Sequence, residues 1–149
     1  MKSADHIRAI SLSRFLLAVR AIAWLAEADA VCPSALIADS VHAHATFLRR
    51  LFAPLVRSGV AEVREGRIGG YALGRAPDQI TLADIYRATR HFGEGTCETP
   101  ADTGSCAPDL PIDRALEEII RLGEARFTEV LSEYTIADLL RMASPRSSR

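Results

Sequence analysis

The sequence predicts a mainly α-helical chain with a small β-hairpin, arranged as a winged helix-turn-helix followed by a long C-terminal dimerisation helix. Three observations carry that expectation. Three segments of helical periodicity lie close together before residue 59, a glycine-rich hairpin pattern follows them directly, and a long amphipathic stretch stands apart near the end.

The elements follow in order. Residues 11–28 form the first predicted helix, because Leu12, Phe15, Leu16, Val19, Ile22, Ala23 and Ala26 recur at steps of three and four and share a face. Glu27-Ala-Asp-Ala is a loop. Pro33 opens a short second helix, Ser34 to Ser40, where its missing N–H has no partner to lose. Val41 to His44 is the turn. Ala45 to Ser58 is the third helix, with Leu48, Leu51, Phe52, Leu55 and Val56 facing inward and Pro54 inviting a kink. Gly59 stands where a left-handed residue ends such a helix. Val60 to Arg64 alternates apolar and polar side chains like a half-buried strand, and Tyr71 to Leu73 returns. Between them Gly69 and Gly70 are expected to supply the permissive backbone of the tip.

Arg75 to Gln79 reads as a linker. Thr81, with Asp84 three residues on, is a capping-box variant opening a helix that runs to about His91. Thr135 and Asp138 repeat the device, read here as shared capping chemistry rather than duplication. Phe92 to Pro111 holds three glycines, three prolines and two of the three cysteines, and is expected to be a functional or mobile loop. Ile112 to Ser132 is a helix whose apolar stripe comprises Ile112, Leu116, Ile119, Ile120, Gly123, Phe127, Val130 and Leu131. At about 1.5 Å per residue it spans roughly 30 Å, more than a small winged domain needs for its own core. The stripe is therefore expected to be buried against its twin in a homodimer. The expected division is a DNA-binding unit over 1–75, a linker helix and sensor-type loop over 76–111, the dimerisation and C-terminal helices over 112–143, and a disordered tail over 144–149.

Composition narrows the function. Of 149 residues, 48% are hydrophobic and 25% charged, an ordinary globular balance. No apolar run reaches the roughly 18 residues of a membrane span, and the longest candidate, Phe15 to Ala28, is interrupted by Arg20 and Glu27. The opening Met-Lys-Ser-Ala-Asp lacks signal-peptide order, so the chain is expected in the cytoplasm, away from membranes. The net charge of −1 hides an asymmetry: residues 1–75 carry ten Lys/Arg against six Asp/Glu, and residues 76–149 carry eight against thirteen. A basic half suits a polyanion.

The basic residues fall where a winged helix meets DNA. His42, His44 and Thr46 precede Arg49 and Arg50 at the start of the third helix, whose N-terminal residues face base edges in this motif. Arg binds guanine or phosphate, and a hydroxyl serves either. Arg64 and Arg67 flank the wing tip, from which a side chain can enter the minor groove. Residues 42–75 hold six Arg and two acidic residues. Arginines that merely solvate a helix face, and histidines that merely form a polar turn, remain the alternatives.

The cysteines, Cys32, Cys97 and Cys106, form no CxxC and no zinc-finger spacing, and no metal site is expected from them. Cys32, before Pro33, reads as a small packing residue. Cys97 and Cys106 are candidate sensor thiols, although the acidic neighbours Glu94, Glu98, Asp102 and Asp109 disfavour a thiolate. No nucleophile elbow, Walker loop, dinucleotide fingerprint or HExxH is present, so an enzyme is not expected. A helix-turn-helix retained only for protein contact is the other non-enzymatic reading.

Ser13-Arg-Phe-Leu-Leu-Ala-Val-Arg20, Ile37-Ala-Asp-Ser-Val41, Phe47-Leu-Arg-Arg-Leu51, Ser58-Gly-Val60, Gly69-Gly-Tyr-Ala-Leu73 and Ile80-Thr-Leu-Ala-Asp-Ile-Tyr-Arg87 occur in an order and spacing that resemble the Rrf family (Rrf-two) of bacterial winged-helix regulators. The pattern is nearest its YwnA-like branch, covers about residues 10–91, and continues loosely to Thr135-Ile-Ala-Asp-Leu139. The wing departs from the family's Arg-Gly-Pro-Gly-Gly-Gly-Tyr, reading Arg-Glu-Gly-Arg-Ile-Gly-Gly-Tyr from Arg64 to Tyr71. The resemblance implies a DNA-binding transcriptional regulator, a repressor by expectation, that recognises a pseudo-palindromic operator as a homodimer. It further implies a response to redox, thiol or small-molecule signals. Many members hold an iron–sulfur cluster on three loop cysteines, whereas this loop has Cys97 and Cys106 alone. The expectation is no cofactor. The alternative is a cluster completed by Asp5, His6 or an acidic loop residue of a partner chain.

Overall fold

The computed structural model describes residues 2–90 and 111–144, with side chains from residue 12 onward. Six helices and one hairpin are present among them: α1 (Lys2–Ala28), α2 (Ser34–Ser40), α3 (Ala45–Arg57), β1 (Ala61–Arg64), β2 (Gly70–Leu73), a 3-10 turn (Pro77–Gln79), α4 (Leu82–Arg90), α5 (Pro111–Ser132) and α6 (Ile136–Ala143). The mainly helical winged helix-turn-helix expected from the sequence is the fold observed. Of the loop expected over 92–111, residues 92–110 lie outside the described residues and Pro111 already opens α5. Of the tail expected over 144–149, Ser144 is the C-cap of α6 and residues 145–149 lie outside the described residues.

The core gathers around α1. Its buried face is Phe15, Ala18, Val19, Ala21, Ile22 and Leu25, packed on α4 and α6 as well as on α2 and α3. Two expectations need correction here. The helix begins at Lys2 rather than near residue 11. The face is also rotated, since Leu12 and Leu16 are exposed while Ala18 and Ala21 are fully buried. Small residues let neighbouring helices approach closely, so tertiary packing rather than hydrophobicity chose the face.

α2 and α3 end in the same way. The amides of His42 and Ala43 donate to the Asp39 and Ala38 carbonyls at 3.2 and 2.8 Å. Those of Gly59 and Val60 donate to the Val56 and Leu55 carbonyls, both at 3.0 Å. Each pair is a Schellman motif, which needs its middle residue in the left-handed region. Gly59 has φ +75° and His42 has φ +55°. The histidine therefore holds a position that glycine usually takes.

The hairpin pairs Ala61 with Leu73, Glu62 with Ala72, Val63 with Tyr71 and Arg64 with Gly70. Its outer half leaves the domain: Val60 and Ala61 are buried, but Val63 is exposed, so the expected half-buried alternation does not hold. The roles of the tip glycines are also redistributed. Gly66, with φ +121°, supplies the permissive backbone, whereas Gly69 and Gly70 answer to space. A Cβ at Gly70 would lie 2.2 Å from the Cys32 carbonyl oxygen. That close approach allows Cys32 and Tyr71 to exchange backbone hydrogen bonds of 2.9 and 2.8 Å, which bolts β2 to the segment leading into α2.

α5 attaches through its C-terminal half. Phe127 meets Tyr86 of α4 edge-on at 5.2 Å, Tyr86 meets Phe15 of α1 at 5.6 Å, and Arg90 pairs with Glu124 at 3.7 Å. Leu131 is buried in the chain's own core with Ile136, which removes it from the set expected to serve a partner. Residues 111–123 are exposed throughout. α6 lies on α1 and on the 3-10 turn.

Candidate nucleic-acid interface

The segregation of α3 defines the candidate surface. Leu48, Leu51, Phe52 and Leu55 are fully buried on one side. Thr46, Arg49, Arg50, Ala53 and Arg57 are exposed on the other, as a helical repeat of 3.6 residues requires. His44 is the N-cap residue, with extended backbone and no side-chain cap bond, so its imidazole is not used to end the helix. His42 is exposed in the preceding turn.

Arg49 reaches back across the turn, its Nε donating to Ser34 Oγ at 3.2 Å. Ser34 is the first residue of α2, so this bond places the start of α2 and the first turns of α3 on one surface. Helical periodicity does not mark Ser34; its position directly after the helix-opening Pro33 is the local sign of it. Arg57, in the last turn of α3, extends the ridge of Thr46, Arg50 and Ala53.

The wing carries Arg64 and Arg67. Arg64 lies in β1 with its Nε on Glu62 Oε1 at 2.7 Å, a bond that neutralises part of its charge in the free protein. Arg67 sits at the exposed tip beside Ile68, which is 79% exposed.

The cysteines divide. Cys32 is buried and its thiol donates to the Ala30 carbonyl at 3.6 Å, the packing role expected of it. Cys97 and Cys106, and the side chains of Asp5 and His6, lie outside the described residues. Among the described residues no group of three or more His, Cys, Asp or Glu stands in metal-binding geometry. With Cys32 consumed by the core, the sequence leaves Cys97 and Cys106, and two thiols do not make up the ligand set of an all-cysteine cluster.

Residues 12–142 match the family model Rrf2, described as iron-dependent transcriptional regulator. The chain belongs to the Rrf2 family. It is accordingly a DNA-binding transcriptional regulator and not an enzyme. Protein aau3 of Rhizobium meliloti is 33% identical over 102 residues, covering 64% of this chain and 60% of aau3, so this match spans less than two thirds of that relative's length. YwnA of Bacillus subtilis, named as an HTH-type transcriptional regulator, is 25% identical over 86% of this chain and 95% of its own length. Among solved structures, CymR of B. subtilis, described as the global cysteine regulator, superposes with a TM-score of 0.60 at 28% identity, covering 88% of this chain and 95% of that one. In this Rrf2 chain no described helix is long and apolar enough to cross a membrane.

Proposed function

We propose that this Rrf2 regulator binds a pseudo-palindromic operator as a homodimer and acts as a repressor. In this reading α3 enters the major groove, and His42, His44, Thr46, Arg49 and Arg50 meet bases and phosphates. The wing, through Arg64 and Arg67, meets the neighbouring minor groove. The observation that carries the reading is the division of α3 into a wholly buried apolar face and an exposed face bearing Thr46, Arg49 and Arg50. Support for pairing comes from α5, where Ile112, Leu116, Ile119, Ile120, Phe127 and Val130 keep 38–71% of their surface exposed. A greasy stripe of that length is best covered by its twin.

Selection of bound sequences from random DNA tests this. A two-fold symmetric consensus is expected, with half-sites about one helical turn apart. Arg49→Ala and Arg50→Ala are each expected to weaken binding to it by about 1–3 kcal/mol. An asymmetric consensus, or both variants binding as the parent does, overturns the reading.

For the signal, Cys97 and Cys106 are the proposed thiol sensors, read out by comparing the selected DNA's affinity for reduced and oxidised protein. The family's iron-dependent description favours a second reading, a cluster completed by a partner chain. Anaerobic purification decides between them: colourless, iron-free protein removes the cluster.

A further inference from the structure

Arg75 belongs to a stretch that is basic by composition, yet its guanidinium is engaged by acceptors at the C-terminal end of α3 and beyond it. Its guanidinium touches three separate segments. Nε donates to the Gly59 carbonyl at 3.3 Å, Nη1 donates to the Gln79 carbonyl at 3.1 Å, and Nη2 pairs with Asp84 Oδ2 at 3.3 Å. Gly59 is the left-handed residue that ends α3, Gln79 closes the 3-10 turn, and Asp84 is in the first turn of α4. Asp84 is held in turn, its Oδ2 accepting from the Thr81 amide at 3.1 Å.

The end of α3 is gripped from the same side by Gly74. Its amide donates to the Val60 carbonyl at 3.0 Å, and a Cβ there would stand 2.4 Å from the Gly59 oxygen. Gly74 gives room for the approach and Arg75 supplies the donors. A pair exposed to this degree is screened by water and adds little as an ion pair. What the planar fork adds is direction, because its donors are fixed relative to one another and its acceptors lie on three elements.

We propose that Arg75 is a positioning residue for sequence recognition. It clamps the C-terminal end of α3 to the start of α4 and so sets the angle at which the N-terminal half of α3 is presented to DNA. The inference rests on the reading of α3 as the recognition helix. Losing the clamp costs specificity and not phosphate contacts, since Arg75 lies beyond the opposite end of α3 from Thr46, Arg49 and Arg50.

The test uses the full chain, the consensus duplex from the random-DNA selection, and poly(dI-dC) as the non-specific competitor, over a series of salt concentrations. Arg75→Ala is expected to lower the ratio of consensus to poly(dI-dC) affinity by about tenfold, the equivalent of one lost base readout. The poly(dI-dC) affinity and the slope of log affinity against log salt are expected to stay as in the parent. Arg75→Lys and Asp84→Asn should lower the ratio by less, and they carry the test if Arg75→Ala fails to fold by circular dichroism. An unchanged ratio in the folded variants overturns the proposal. So does a salt slope reduced by about one with both affinities falling together, which marks Arg75 as a phosphate contact. Arg49→Ala and Arg50→Ala in the same assay separate the role of α3 from that of the clamp. If they bind as the parent does, the reading of α3 is at fault. If they lose binding while Arg75→Ala keeps its ratio, the clamp alone is.

Discussion

Thr81 and Thr135 stand opposite one another in an antiparallel bridge, with the Leu82 amide on the Tyr134 carbonyl and the Ile136 amide on the Ile80 carbonyl, both at 2.9 Å. Each threonine also caps the helix it precedes. Thr81 Oγ1 accepts from the Asp84 amide and Thr135 Oγ1 from the Asp138 amide, both at 3.1 Å, and each aspartate accepts its threonine's amide in return. The two similar tetrapeptides thus meet face to face, which joins the start of α4 to the start of α6. Removing one hydroxyl leaves a helix terminus unsatisfied. Thr135→Ala is expected to cost about 1 kcal/mol and to lower the melting temperature by roughly 2–4 °C. Unchanged melting by circular dichroism would show that the α6 box is dispensable.

Asp138 makes the same cap sensitive to acid. Hydrogen bonds from the Thr135 hydroxyl and amide, with the Arg141 guanidinium nearby, hold its carboxyl below the usual range. A depressed folded-state value means that the ionised form is favoured in the fold. The contribution is full above the ordinary carboxylate value and fades as pH falls through the depressed one. Asp138→Asn should therefore melt below the parent at neutral pH, with the gap closing as the pH drops below about 4. A gap that stays constant from pH 7 to pH 3 contradicts this.

His42 holds the left-handed end of α2 at a cost. A side chain in that region is disfavoured by about 1–2 kcal/mol relative to glycine, part of which glycine's greater freedom in the unfolded chain returns. His42→Gly is expected to stabilise the protein by about 1 kcal/mol in urea unfolding. Any weakening of DNA binding in the same variant then reports the imidazole itself, because the backbone conformation is retained.

Gly70→Ala forces a methyl group against the Cys32 carbonyl. The backbone bridge between Cys32 and Tyr71 must open, at a cost of about 1–3 kcal/mol for the displaced packing. The wing loses its anchor to the entry of α2, so affinity for the selected DNA should fall with stability. Wild-type melting in Gly70→Ala would mean that the strand shifts without penalty.

Pairing along α5 is best probed at Ile119, which is 64% exposed. Phe127 is a poorer site, since its ring already rests on Tyr86. Ile119→Glu should turn a sedimenting dimer into a monomer with little change in monomer fold. A dimer of unchanged strength moves the interface elsewhere.

Much of this molecule is written locally in its sequence. The bounds of α2, the buried face of α3, the end of α3 at Gly59 and both threonine caps follow from helical periodicity and from bonds spanning three to five residues. Such signals act within one turn of chain and need no knowledge of distant neighbours. Tertiary structure decided what depends on close approach between segments far apart in sequence. It turned α1 so that Ala18 and Ala21 are buried and Leu12 and Leu16 are not, and it drew Leu131 into the core. It reserved Gly70 and Gly74 for carbonyls of Cys32 and Gly59, and it turned Arg75 from one more positive charge into a three-way clamp. Hydrophobicity and charge state what a side chain prefers, whereas only the packed fold sets how much room it has and which acceptors it can reach.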